Sequence, residues 1–345
     1  MSTVRTATLA CLIAGLLLVV VPPWLPGGER LTLHDPPREG HVMALAATAD
    51  GILAGTQQGE LWRYRDGAWA LREEDRYRRP VTVLRGDPAE IPAGTAAGLW
   101  PEPDEPIPGS PRISDVLGVG DVLVIATGDG VLRNEGGSWH RDGPAVQAYR
   151  LARQDRDGRT LIHVGTIDDG VWSRDLRQPD GLAQNNAGLP SPVNVLSLTT
   201  TAGGILLAGT DGGLYWQLQP GTDWRRIDAG LGGRRILSLF AAPEQDGIQR
   251  LWIGSDDGLR ALDLVERTGS LESRGRARHF ETLGEGPRSG VSWILLDQGK
   301  VVISAGAVYR LERVRFLYWH WFTAVGAALL VAGLWLRHRS AHPRH

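Results

Sequence analysis

Leu53-Ala54-Gly55-Thr56-Gln57-Gln58-Gly59-Glu60-Leu61-Trp62 is a phrase that the chain repeats with changed decoration. It returns as Pro92-Ala93-Gly94-Thr95-Ala96-Ala97-Gly98-Leu99-Trp100, as Leu207-Ala208-Gly209-Thr210-Asp211-Gly212-Gly213-Leu214-Tyr215-Trp216 and as Trp252-Ile253-Gly254-Ser255-Asp256-Asp257-Gly258-Leu259. Looser copies start at Ile125 and His163, and a worn one runs from Ile303 to Tyr309. Self-similarity at such a period settles the architecture before any single residue is weighed.

Each copy has the same grammar. An apolar run (Val42 to Ala47; Val193 to Leu198; Ile236 to Phe240) leads to a strand ending in Gly-Thr or Gly-Ser, then a tight turn, then a strand opening on Leu-Trp or Leu-Tyr. Short apolar and aromatic runs punctuated by Gly, Asp and Asn are strand–turn–strand signals. The Gly of the tight turn sits where the backbone needs positive φ, and the Thr or Ser before it holds the turn by hydrogen bonding. The Gly-Thr positions (56, 95, 127, 166, 210, 255 and the worn 304) are 32 to 49 residues apart. That is the spacing of four-stranded propeller blades. No stretch between Val42 and Leu311 keeps a helical apolar period. The expectation is an all-β, seven-bladed β-propeller flanked by N-terminal and C-terminal transmembrane helices. The Pro-rich stretch from Pro101 to Pro111 should cost the second blade its outer strand, since proline cannot donate to a ladder.

The boundaries follow: 1–26 an anchor, 27–42 a linker with a closing strand, 43–313 the propeller, 316–336 a transmembrane helix, 337–345 a short basic cytoplasmic tail. The last copy supplies three strands, and Arg30-Leu31-Thr32-Leu33-His34 is a spare strand able to cover its open edge. Ala7 to Val21 is an apolar run of signal-peptide length with no small-x-small cleavage site after it, so an uncleaved anchor is favoured over a removed signal. Phe316 to Leu336 carries aromatic residues at both ends and is followed by Arg337-His338-Arg339, the pattern of a spanning helix with its tail in the cytoplasm. The propeller is therefore placed outside, and the chain in the cell membrane. Ala324, Ala328 and Ala332, with Ala10 and Ala14, form stripes of small residues along which two helices could approach, or dock another membrane protein.

Composition narrows the partners. The net charge is −2, which argues against a nucleic-acid partner. A single cysteine, Cys11, allows no internal disulfide. Lys300 is the only lysine among 37 basic residues, a skew read as base composition rather than function. The expected partners are the lipid bilayer and a membrane or extracytoplasmic protein, with no cofactor.

Ala187 to Leu198 leading into Ile205 to Tyr215, and Leu251 to Leu259, resemble the blade repeat of two-component regulator propellers. That resemblance implies a periplasmic input domain of a membrane-bound sensor, ordinarily joined to a kinase or cyclase. After Leu336 nine residues remain, so no output domain is expected in this chain. Thr166-Ile167-Asp168-Asp169-Gly170-Val171-Trp172 is similar, one residue short, to the Asp-box turn of sialidase and photosystem-assembly propellers. Such turns are structural and imply no hydrolysis.

No catalytic constellation stands out. Glu73-Glu74, Asp168-Asp169 and Asp256-Asp257 could offer oxygen ligands to a cation, but the latter two fall in the repeated turn, where Asp serves geometry. The histidines lack metal-ligand spacing. Trp62, Trp100, Trp172 and Trp252 read as packing between blades. The function expected is non-catalytic: a binding, sensor-like or assembly scaffold subunit. The alternative is an extracytoplasmic glycan hydrolase or lyase of sialidase type. Loops entering the innermost strands should form the binding face, which nominates Asn194 and Arg235; the basic-aromatic cluster Arg76, Tyr77 and Arg78 is the other candidate.

Overall fold

The computed structural model describes residues 2–21, 26–34, 41–73, 79–88, 90–101, 107–109, 111–178, 180–284, 286–287, 289–315 and 319–341. It divides into two compact units, Leu31–Arg310 and residues 1–30 with 311–345.

The larger unit is built from seven antiparallel sheets. Their innermost strands are Val42–Thr48, Val81–Val83, Ile113–Val119, Ala148–Arg156, Val195–Thr200, Ile236–Ala241 and Trp293–Asp297. Each neighbours the innermost strand of the next sheet, and the seventh neighbours the first, so the ring closes. This is a seven-bladed β-propeller. Six sheets have four strands; the second, at residues 81–100, has three among the described residues. In the seventh, Pro26–Leu33 is the outer strand beside Val308–Arg315. Thr32 Oγ1 donates to the Arg310 carbonyl at 3.2 Å, and His34 N to Val308 O at 2.8 Å.

The repeated phrase has a physical reason on both sides of its Gly-Thr. The hydroxyl donates across the tight turn at 2.8 to 2.9 Å in the second to fifth blades, for example Thr210 Oγ1 to Gly213 O. Gly98, Gly130, Gly213 and Gly258 there have φ of 122° to 131°, a region that L side chains avoid. The Gly before the hydroxyl residue answers to the next blade. A Cβ on Gly55 would lie 2.5 Å from Val81, on Gly94 2.8 Å from Ile113, on Gly165 2.6 Å from Val195 and on Gly209 2.5 Å from Ile236. Those four side chains are fully buried at the start of the following innermost strand. Blade contact at this point leaves no volume for a methyl group.

A buried polar seam joins the fourth and fifth blades. Gln154 Nε2 donates to Gly204 O at 2.6 Å, so its Oε1 accepts from His163 Nε2 at 3.0 Å. His163 Nδ1 then accepts from Ser173 Oγ at 2.8 Å, and Asn185 and Gln217 continue the network. Burial pushes the His163 pKa down to about 3. The unfolded chain, with a histidine near 6.5, takes up this proton first. The stability His163 contributes is thus complete above about pH 6.5 and is lost as pH falls toward 3. We expect the unfolding free energy to drop by about 2 kcal/mol between pH 6 and 4.5 from this group alone. Urea titrations of wild type and His163→Gln should show a flatter pH dependence in the variant over that range.

The smaller unit contains helix α1, Ser2–Val20, and helix α2, Trp319–Ala341. By length and composition α2 can cross a membrane over Trp319–His338, whereas the apolar part of α1, Thr6–Val20, is shorter than a span requires. Of the two spanning helices expected, only α2 among the described residues has an apolar stretch long enough to span. The helices run antiparallel: Gly326 meets Gly15, Leu18 and Val19, and Gly333 meets Leu12 and Cys11. The alanine stripes are not the contact, since Ala10, Ala14, Ala324, Ala328 and Ala332 are exposed. Glycine supplants them because it admits closer approach; a Cβ on Gly326 would sit 2.7 Å from the Gly15 carbonyl oxygen. A Cβ on Gly333 would lie 3.4 Å from that of Cys11, close to disulfide spacing. We expect Gly333→Cys to crosslink to Cys11 under mild oxidation, read as a gel-mobility shift reversed by reductant. Ala332→Cys, on the exposed side, should not.

Candidate functional site

The innermost strands surround an axial channel. A cavity of about 320 Å3 at its mouth is lined by residues of all seven blades, among them Met43, Thr82, Ser114, Tyr149, Leu196, Leu237 and Ser292. It shares Arg150, Leu237, Ser292 and Trp293 with a deeper cavity of about 490 Å3, walled by Leu45, Leu84, Leu198, Leu239, Phe240 and Ile294. A larger cavity of about 560 Å3 lies off the axis between the first and seventh blades. Its charges are paired internally, with Arg310 on Asp297 at 2.8 Å and Arg65 on Asp66 at 3.3 Å. We therefore place the candidate site on the axis.

Charge on the axis comes from two innermost strands, those of the third and fourth blades, and from Arg85 just past that of the second. Asp115 is fully buried and accepts from Arg85 Nε at 2.8 Å, Val116 N at 2.9 Å and Leu151 N at 2.9 Å. Arg85 Nη2 donates to its other oxygen, completing a two-pronged pair. Arg150 is held differently. Its Nη1 donates to the carbonyls of Ser114 at 3.2 Å and Tyr149 at 3.1 Å. Its guanidinium lies 4.3 Å from the Tyr149 ring centroid and 5.6 Å from that of Trp293. Arg85 lies over the same Trp293 ring at 5.7 Å. Two cations stacked on one indole gain cation–π attraction while repelling each other, and the buried Asp115 neutralises one of them.

The nominated residues divide. Asn194 braces two turns: Oδ1 accepts from Asp168 N at 3.0 Å, and Nδ2 donates to Asp211 at 2.7 Å. Arg235 is exposed one residue before the sixth innermost strand. Arg76, Tyr77 and Arg78 lie outside the described residues, as does Glu74. The Asp pairs work in turns: Asp168 has φ of 68°. Asp257 accepts from Arg260, Arg234 and Ser255 at 2.5 to 2.9 Å. The Arg260 guanidinium above all holds the Asp257 carboxyl well below the usual carboxylate range, against the opposing effect of its partial burial. Trp62 and Trp252 are buried between strands, Trp252 with its ring 5.4 Å from Phe280. Among the described residues, no group of three His, Cys, Asp or Glu is placed to hold a metal ion.

Arg85, Asp115, Arg150 and Trp293 were not nominated from sequence. Asp115 and Arg150 occupy the position filled by Ala44, Ser197 and Ser238 in other blades, opposite the residue before the hydroxyl, whereas Trp293 pairs with the hydroxyl residue Ser304 itself. Aligning the repeats on their Gly-Thr exposes them as departures; scanning for familiar motifs does not.

No family model matches the sequence, and no curated protein matches it. Solved structures match by shape. One is the extracellular domain of BT4673, assigned to a one-component system of B. thetaiotaomicron, with a TM-score of 0.57 and 16% identity over 83% of this chain and 40% of that one. Another is the extracellular domain of BT3049, assigned to a hybrid two-component system of the same organism, at 0.56 and 13% over 81% and 41%. The present chain thus spans about two fifths of those domains. YCF48 bound to D1 peptide matches at 0.55 and 14% over 81% of this chain and 96% of that one. The repeat resemblance and these neighbours agree on one fold class, the propeller found in extracellular sensor domains.

Proposed function

We propose that this protein is a membrane-anchored, extracytoplasmic, non-catalytic binding subunit, sensor-like or assembly-related, whose ligand or partner engages the mouth of the axial channel. The observation that carries this reading is the mouth itself, where every blade contributes and Arg150 faces the cavities without a carboxylate partner among the described residues. A concave channel of this size, lined by apolar side chains and convergent polar groups, has the character of a binding site. The non-catalytic reading draws support from Asp115. It is the carboxylate nearest the channel arginines, and its engagement by Arg85 and two backbone amides leaves no free acid to exchange protons with a substrate.

Membrane anchoring draws on α2 and on the antiparallel pairing of α1 against it. The apolar part of α1 falls short of a span, but the whole helix of 19 residues is about 28 Å long, near the thickness of a bilayer core, so with its polar first turn among the headgroups α1 could complete a hairpin with both termini in the cytoplasm. Sensor propellers among the structural neighbours are extracellular, and YCF48 is a propeller that holds a peptide.

Two measurements test this. With Cys11 replaced by serine, Asp121→Cys on an exposed turn should react with a membrane-impermeant maleimide in intact cells. Crosslinking in membranes should recover a stoichiometric companion or ligand with the wild-type chain and lose it with Leu237→Asp at the mouth. Labelling only after lysis, or a companion indifferent to Leu237→Asp, would reject the corresponding half of the proposal.

A further inference from the structure

The geometry points to a small organic acid as the ligand of the axial channel, its carboxylate held by Arg150 and its apolar part lying in the deeper cavity. This rests on the binding-module reading above and deepens it.

Charge balance comes first. Among the described residues lining the two axial cavities there is no Asp or Glu, whereas Arg85, Arg112 and Arg150 are present. Asp115 neutralises Arg85. Arg112 is exposed at the rim, which leaves Arg150 as the cation inside the channel without a counter-charge. A cleft lined by one sign of charge attracts the other.

The open edge of Arg150 then selects the anion. Nη1 is fixed by two carbonyl acceptors, and the ring faces of Tyr149 and Trp293 hold the guanidinium plane. Nε and Nη2 have no protein acceptor among the described residues. Those two nitrogens form one planar fork, and the neighbouring Arg85 shows what such a fork takes here: it grips the Asp115 carboxylate through its own Nε and Nη2. A ligand carboxylate would repeat that two-pronged pairing. A phosphate dianion fits less well, because a single fork meets only part of its charge and acceptors.

The walls supply the rest. Beyond Arg150 the deeper cavity is lined by leucines, Phe240 and Ile294 together with Arg85 and Thr199, and the hydroxyls of Ser197 and Ser238 are turned away to carbonyls of the next blade at 3.2 and 2.7 Å. The apolar side chains of this mixed lining can take a hydrocarbon chain or ring. The ligand class is therefore a monocarboxylic acid of several carbons, aliphatic or aromatic.

The test uses the full chain in lipid nanodiscs and ligand-observed NMR with hexanoate, phenylacetate, 1-hexanol and inorganic phosphate. Hexanoate and phenylacetate should bind, and hexanol and phosphate should bind about tenfold more weakly or not at all, the scale of a charge-assisted pair. Arg150→Gln should weaken acid binding by about tenfold or more, with Arg150→Lys intermediate because it keeps the charge but loses the fork. Ser292→Asp serves as a second variant: it retains Arg150 and places a competing carboxylate at the mouth, and it too should abolish acid binding. Unchanged thermal melts would assign these losses to the site. Equal binding of hexanol and hexanoate, or undiminished binding by Arg150→Gln, overturns the carboxylate assignment while leaving a ligand-binding channel. Phosphate binding in preference to both acids overturns it in favour of an inorganic anion. Silence from every probe overturns it as well, and the crosslinking comparison with Leu237→Asp then decides separately whether the mouth binds anything.

Discussion

Gly254→Val is expected to destabilise the propeller by about 3 kcal/mol or more, the upper end of the cost of overpacking a core. A Cβ at Gly254 would stand 2.2 Å from Ser238 Oγ, 2.5 Å from the Val291 carbonyl oxygen and 2.7 Å from a Val291 methyl carbon. Two of these neighbours belong to the backbone and fully buried side chain of the next blade, so relief requires the sixth and seventh blades to separate. The Ser238–Val291 hydrogen bond of 2.7 Å would be broken in the same movement. Equilibrium denaturation in urea measures the loss. The contact between the third and fourth blades supplies a control in the opposite sense. There the repeat has Ala126 where others have glycine, and the facing residue is Ala148 instead of valine or isoleucine. Ala148→Val alone should cost about 1 to 3 kcal/mol, and adding Ala126→Gly should recover most of it. Equal instability of the single and double variants would mean that the two positions do not share one volume.

That pairing of sizes explains why the fold was legible. A glycine required by the adjoining blade, and a Thr or Ser required by the tight turn, recur in most blades because most blades meet their neighbours in the same way. The outer strand of the seventh blade was legible for a related reason: an open edge demands a strand. The channel arginines were not legible. Arg150 and Asp115 acquire their roles only when the ring brings the second, third and fourth blades side by side; in sequence, Arg85, Asp115 and Arg150 are merely polar interruptions of apolar runs. Asn194 and Arg235 were nominated by position just ahead of the innermost strands, but position does not report what a side chain already holds. Asn194 is engaged by two turns. The helix contact was missed because alanine abundance drew attention to a stripe that glycine, with no side chain, outcompetes for close approach.

Asp115→Asn is expected to be the most damaging single change near the axis, costing about 3 kcal/mol, the lower end of the range for removing one partner of a buried ion pair. The lower end applies because Arg85 keeps 33% of its side-chain surface accessible and can turn partly toward water in the channel. Asp115 itself has none. An amide at this place keeps one acceptor oxygen, enough for one of the two backbone amides of Val116 and Leu151, but it directs an NH2 group at a guanidinium that also only donates. The disturbance would not stay local, since Leu151 follows Arg150 on the same innermost strand. A double-mutant cycle with Arg85→Met separates the charge from the scaffold. Methionine fills the volume of the arginine stem, and removing the cation leaves the amide facing no uncompensated charge, so Arg85→Met with Asp115→Asn should be more stable than Asp115→Asn alone by about 1 to 2 kcal/mol. Urea denaturation of the four proteins gives the coupling directly. If the double variant is as unstable as the sum of its parts, Asp115 acts mainly as an acceptor for the backbone of the third and fourth blades, and its pairing with Arg85 contributes little to holding the channel wall together.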